Sequence, residues 1–405
     1  MSRGRAAFLA GLLGLTTASM GPAWGRGEVV RVGSPPGPAA RDRLDPARLG
    51  RSAVAFPSTP SERWRIDLAT AIEHAPLVDA AGNVTLSLAT GEVAMVRKDG
   101  ALAYRRRLPC TLSTAPPVRL AAGTTAFLCG EGSVLVLDAA GDVLARHPTG
   151  GSARQTSAAP LAREDGGLFV ALDEELVSLG HDGTVLARVR LPASEQVAGG
   201  LVPFDGGVLF VGTRGKVVAF RPPLGLRELG SLGGAAPRGP AILGERAVAA
   251  VVDGQRLVVF DPVARELRTL ATAEPGSSFE GLPAASIAGE VFVTTTTGQL
   301  LRIQPSGEPP VVIDLEPVRK ASALPTIATR LNRESRASPP PIVDPSGAIA
   351  FLRLNGPAGL LRSGEVVPNH LASAPCARPV AIVPAAPRVL VLACGNGSLA
   401  LWSDP

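Results

Sequence analysis

Residues 209–220 read LFVGTRGKVVAF: an apolar strand, a short polar turn closed by glycine, and a second apolar strand. That is the pattern of a β-hairpin. The same pattern recurs as VTLSLATGEVAMV (84–96), TAFLCGEGSVLVL (125–137), LFVALDEELVSL (168–179), AVAAVVDGQRLVVF (247–260), VFVTTTTGQLLRI (291–303), AIAFLRLNGPAGLLR (348–362) and VLVLACGNGSLALW (389–402). The residues before each second strand are Gly91, Gly132, Glu174, Gly215, Gln255, Gly298, Ala358 and Gly397, at steps of 41, 42, 41, 40, 43, 60 and 39. A period near forty built from short strands is the mark of propeller blades. No stretch holds a 3.6-residue apolar period for three turns, so the fold is all-β.

Working outward from each hairpin completes the unit. A small-residue or Pro-led strand precedes it, as in APLVD (75–79), AAPLAR (158–163) and PPPIVD (339–344). Proline is tolerated there because an edge position need not donate to the ladder. An Asp/Gly turn and a fourth strand follow, as in ALAYRRRL (101–108) and TVLARVRL (184–191). Each repeat therefore reads A-B-C-D. The eighth repeat stops after strand C, at Trp402-Ser403-Asp404-Pro405, while an orphan strand, RWRIDL (63–68), precedes the first strand A. Placed beside the last strand C, it closes the ring and removes the open edge. The expected fold is an eight-bladed β-propeller of four-stranded antiparallel blades, closed by an N-terminal strand pairing with the last blade.

The rest of the chain divides around this ring. Arg3 and Arg5 precede the uncharged run AAFLAGLLGL (6–15) and small residues up to Ala23-Trp24-Gly25. That is the layout of a secretory signal peptide over 1–25, too short for a comfortable membrane span. No other stretch reaches spanning length, so the mature chain is expected to have no transmembrane segment. Residues 26–60 are rich in Pro, Gly and Arg without a period and read as a linker, leaving 61–405 as the propeller. The formal charge is +5, but residues 1–26 carry Arg3, Arg5 and Arg26 with no acid, which leaves +2 for the remainder. Lys98, Lys216 and Lys320 are the only lysines, and such an arginine bias beside abundant Ala, Gly and Pro reads as a GC-rich genome, so nucleic acid is not an expected partner.

Four cysteines in an exported chain favour disulfides. Cys129 and Cys394 each lie three residues before the turn glycine of their hairpins. Cys110 and Cys376 each precede strand A of the same repeats, at separations of 19 and 18 residues. The start of A lies beside the end of B in an antiparallel pair, within the roughly 4.4–6.8 Å Cα spacing a disulfide spans. The expected bridges are Cys110–Cys129 and Cys376–Cys394.

The A-B-C-D texture, the closing N-terminal strand and the Asp/Gly turn before strand D resemble the quinoprotein-type (pyrroloquinoline-quinone-like repeat) propellers. That group includes quinone-dependent alcohol dehydrogenases and the periplasmic propeller of the outer-membrane protein assembly machinery. Its repeats carry a Gly followed a few residues later by Trp, which docks neighbouring blades; here Trp64 stands near such a position. Its quinone enzymes carry a vicinal Cys-Cys pair, and no two cysteines are adjacent in this chain. The resemblance therefore implies the fold over 61–405 and no cofactor.

No assembled catalytic motif emerges. His74, His147, His181 and His370 fall in linkers or turns without ligand spacing. Gly130-Glu131-Gly132 is a hairpin turn, lacking the strand-to-helix context of a dinucleotide site. Asp173-Glu174-Glu175 is the densest acid cluster, able in principle to act as acid and base or to hold Ca²⁺, and equally an ordinary solvated turn. The 60-residue step comes from an insertion, 316–337, with Arg319, Lys320, Arg330, Arg333 and Arg336 against two acids. A long basic loop on a rigid scaffold is a candidate partner-binding element. The resulting expectation is an exported, monomeric, non-enzymatic binding or scaffold protein of the bacterial periplasm or exterior, engaging another protein or an envelope component. The alternative is a propeller enzyme, dehydrogenase-like or lyase-like, with its site at the central channel mouth. A sugar-binding role is disfavoured by one tyrosine and three tryptophans.

Overall fold

A computed structural model describes residues 44–45, 48, 50–120, 122–243, 247–305, 307–315, 339–353, 358–365, 369–371 and 379–405. The strands assemble into eight four-stranded antiparallel sheets. Blade one holds strands A (Leu77–Val78), B (Val84–Leu88), C (Glu92–Val96) and D (Leu102–Arg107) in that spatial order, and the other blades repeat it. Burial runs with the order: Val84–Leu88 is buried throughout, whereas five of the six residues of Val143–Pro148, strand D of blade two, alternate between exposed and half-buried. Strand A therefore faces the ring axis and strand D the outside.

The ring closes as the sequence implied. Ser61–Asp67 is the fourth strand of blade eight, paired antiparallel with Ser398–Ser403. Its register sets Glu62 opposite Trp402, Trp64 opposite Leu401 and Ile66 opposite Leu399. First and last strands of the propeller thus share one sheet, and blade eight has the same four strands as its siblings. The hairpin boundaries match with one adjustment: Ala358 opens strand C of blade seven (Ala358–Leu361) rather than closing the turn.

Hydrophobic contact between neighbouring blades forms the core. Phe127, Phe169, Phe210, Phe292 and Phe351, each on a strand B, are among the largest fully buried side chains. Phe169 of blade three meets Phe220 of blade four edge-on, with ring centroids 6.1 Å apart. Docking repeats at the outer rim. The ring of Trp64 covers Gly100, where a Cβ would lie 2.9 Å from Cγ, and its indole N–H donates to the Lys98 carbonyl at 2.9 Å. Tyr104 covers Gly141 in the same way, and His147 covers Gly183. Gly141 shows the constraint best: φ is +81° and a Cβ would lie 2.5 Å from the Tyr104 ring, so glycine alone fits. One rim position, then, holds Trp, Tyr and His in successive strands, each seated on the C–D turn glycine of the next blade. Burial pushes the Tyr104 hydroxyl up to about 12.

The stretch expected as a linker over 26–60 ends in an ordered piece. Arg51 bridges in parallel to Val343 of strand A of blade seven (Ile342–Val343), with the Ser52 N–H donating to the Val343 carbonyl at 2.7 Å and the Val343 N–H to Gly50 at 2.9 Å. Arg48 is buried beside Gly200 and Gly239, which lead into the strands A of blades four and five. Leu44 packs on the clusters shared by blades seven, eight and one. A segment this short touches blades four, five, seven and eight together only by lying at the axis. It then emerges among the A–B turns: the Phe56 N–H donates to Asp344 Oδ2 at 2.9 Å, and the Arg388 N–H to the Ala55 carbonyl at 2.8 Å. Phe56 is buried against Ile342, Leu360 and Trp402. Residues 50–56 thus thread the central channel, pinned by backbone pairing to blade seven and by one aromatic anchor.

Candidate functional site

Two kinds of loop share the upper face of the ring, the B–C turns and the D-to-A connections. They are stapled to one another blade by blade. In blade two the staple is covalent: Cys110 of the connection is bonded to Cys129 at the end of strand B, with Cα atoms 5.9 Å apart. Blade three uses Asp173, whose carboxylate accepts from the backbone N–H groups of Arg154 (3.1 Å), Gln155 (2.8 Å) and Thr156 (3.0 Å) and from the Ser152 hydroxyl (2.7 Å). Blade five repeats this with Asp253 accepting from the Ala235 N–H at 2.9 Å, and blade six with Thr296 accepting from the Ser278 N–H at 3.0 Å. Blade four reverses it: Glu195 of the connection accepts from the Arg214 N–H of the turn at 3.3 Å. These staples satisfy loop backbone groups that neither helix nor ladder supplies. Cys394 is also disulfide-bonded, while Cys376 lies outside the described residues.

Between the connections that enter blades three and four the upper face opens into a cleft of about 1090 Å³. Gln155 and Gln196, one from each connection, join across it at 2.9 Å. The acid cluster seen in the sequence forms one wall. Asp173 is committed to its staple; Glu175 pairs with Arg188, and Glu174 with Arg190 at 3.0 Å in a pair that stands out in solvent. The fourth carboxylate lining the cleft, Glu195, was not singled out in the sequence, where it is one glutamate in an ordinary connection. It is 4% exposed and pressed against Gly212, whose absent side chain makes room for Oε2. Its Oε1 is buried and has no hydrogen-bond partner among the described residues.

The other sequence candidates fall elsewhere. Arg319, Lys320, Arg330, Arg333 and Arg336, with the insertion 316–337 as a whole, lie outside the described residues. Among the described residues the one metal-like grouping is Cys110, Cys129 and Glu131, whose sulfurs are already joined to each other. No helix among them is long and apolar enough to cross a membrane.

Eight four-stranded sheets and the repeated rim docking together define an eight-bladed β-propeller. Residues 16–187, which reach through blade three, match the family model described as outer membrane protein assembly factor BamB. Among solved structures, BamB from Moraxella catarrhalis is similar at 15% identity, covering 85% of this chain and 98% of that one with a TM-score of 0.59. The computationally designed Ika8 protein is similar at 13% identity, covering 83% and 97% with a TM-score of 0.60. The C-terminal WD40 domain of Sif2 is similar at 11% identity, covering 87% and 99% with a TM-score of 0.60. Identities this low establish a shared fold. No curated protein matches the sequence.

Proposed function

We propose that this chain is an exported, monomeric, cofactor-free scaffold of the bacterial envelope that binds protein partners through its upper face. The observation that carries the reading is the exchange of open space between axis and upper face. Residues 50–56, with Arg48 before them, occupy the channel in which an enzyme of this fold would gather its catalytic groups, whereas the cleft over blade three stands open. The family model's description as an assembly factor supports a protein partner and a periplasmic setting. The apolar run at 6–15 supports export. Cross-linking between connections and turns, covalent in blade two, gives the face the rigidity that lowers the entropic cost of binding. The basic insertion, with Arg319, Lys320, Arg330, Arg333 and Arg336, is proposed as a second contact on the same face.

The test is affinity capture from envelope extract with three proteins: the parent, Ala193→Trp, and a chain whose insertion is cut to the length of its siblings. Ala193 is exposed at the cleft, so an indole there obstructs it without entering the core. Partners recovered by the parent should be lost or strongly reduced with Ala193→Trp. Equal recovery by all three proteins would remove the upper face from the account.

A further inference from the structure

We infer that the cleft over blade three receives a cationic side chain, lysine or arginine, from an extended segment of the partner, with Glu195 as its counter-charge. The inference rests on the reading of the upper face as a protein-binding surface and names the chemistry that surface selects. Four carboxylates line the cleft among the described residues, and three are already engaged. Glu195 differs in both respects that matter. It is 4% exposed, and its Oε1 accepts from nothing among the described residues. A buried carboxylate oxygen without a donor is costly, and a donor carrying positive charge relieves that cost most.

Calcium fits less well. It takes six to eight oxygens, several of them anionic. Here Asp173 is committed to backbone N–H groups and Ser152, and Glu174 and Glu175 face arginines. One buried oxygen without a donor suits a single N–H donor on a singly charged group. The cleft, about 1090 Å³, is larger than one side chain and accommodates several residues of extended chain. The linked amides of Gln155 and Gln196 offer a donor and an acceptor to that chain's backbone. Oε2 is held against the Arg214 N–H and Gly212, so the carboxylate is fixed before any ligand arrives.

The experiment uses the purified full chain and fluorescent octapeptides carrying one central arginine or lysine, each matched to a neutral counterpart with citrulline or acetyl-lysine. Anisotropy should show the cationic peptides binding about tenfold more tightly than their counterparts, the range of one charge-assisted hydrogen bond. Glu195→Gln keeps the shape and an acceptor for the Arg214 N–H, so its melting temperature should hold while the preference falls to about twofold or less. Ala193→Trp should abolish binding of both kinds of peptide. Equal binding of charged and neutral peptides, an unchanged preference in Glu195→Gln, or no binding by any peptide would each overturn the inference. If Glu195→Gln fails to fold, the comparison of charged with neutral peptides on the parent and on Ala193→Trp decides alone. A photo-cross-linking residue at position 193 in cells separates the two layers. Partner adducts without a preference for cations retire Glu195 and keep the scaffold reading; absence of adducts retires the scaffold reading itself.

Discussion

Replacing Trp64 by alanine cuts into the ring at the seam where its first strand meets its last blade. The indole sits half-buried between the closing strand and the C–D turn of blade one, against Gly100, and donates to the Lys98 carbonyl at 2.9 Å. A fully buried Trp or Phe truncated to alanine costs about 3–5 kcal/mol, so a half-buried one costs about 2. The lost hydrogen bond adds up to about 1 kcal/mol, limited because water reaches the freed carbonyl. Unfolding entropy near 2.1 cal/mol/K per residue gives a ring of this size about 0.7 kcal/mol/K, so Trp64→Ala should melt about 3–4 °C below the parent. Trp64→Phe, which keeps a ring without the donor, should recover more than half of that loss. Calorimetry reads the shift, and hydrogen exchange should show faster opening of 61–67 and 398–403 than of blades three to five. A melting point within 1 °C of the parent, or acceleration spread evenly over all blades, would refute the seam as an energetic weak point.

Three further outcomes follow from named contacts. Changing Cys110 and Cys129 to serine together removes a bridge spanning a 19-residue separation and should cost roughly 3 kcal/mol under the chain-entropy model, read by urea titration. Non-reducing peptide mapping should recover Cys110 linked to Cys129, and also Cys376 linked to Cys394; a Cys110–Cys376 peptide would contradict the staple scheme. Asp404 accepts from the Thr59 N–H at 2.7 Å and from Ser58, which holds its carboxyl below the usual range. A carboxyl depressed by folding stabilises above its unfolded value, near pH 4, and that contribution disappears as pH falls through the folded value. Asp404→Asn should therefore melt below the parent at pH 6, with the gap narrowing as pH falls below about 4; a gap independent of pH would contradict this.

The hairpins were legible because each buries both strands, so β-branched and apolar runs persist on either side of a polar turn through all eight repeats. The closing strand was legible for the complementary reason: a missing strand D at one end and an alternating orphan strand at the other. Rim docking was half legible. Trp64 could be matched to the family pattern, but Tyr104 and His147 hold the same position with other side chains, and what links them is the glycine they cover. The channel segment carries no period because one aromatic, Phe56, and backbone pairing to the two-residue strand Ile342–Val343 hold it; neither leaves a pattern in sequence. The acid turn at 173–175 was visible, yet its carboxylates prove committed. The one with a buried oxygen left without a donor, Glu195, comes from a connection whose position over the turn of blade four exists only in three dimensions.

The claim on which the functional reading turns is that the chain fills its own channel and leaves binding to the cleft of its upper face. Hydrogen–deuterium exchange over residues 50–56 tests it directly, followed through the amides of Ser52 and Phe56, which donate to Val343 and Asp344. If the segment lies at the axis, these amides exchange with the innermost strands of the blades and persist for hours. If they exchange within seconds, as in a free linker, the channel is open and the argument that moves the site to the upper-face cleft fails.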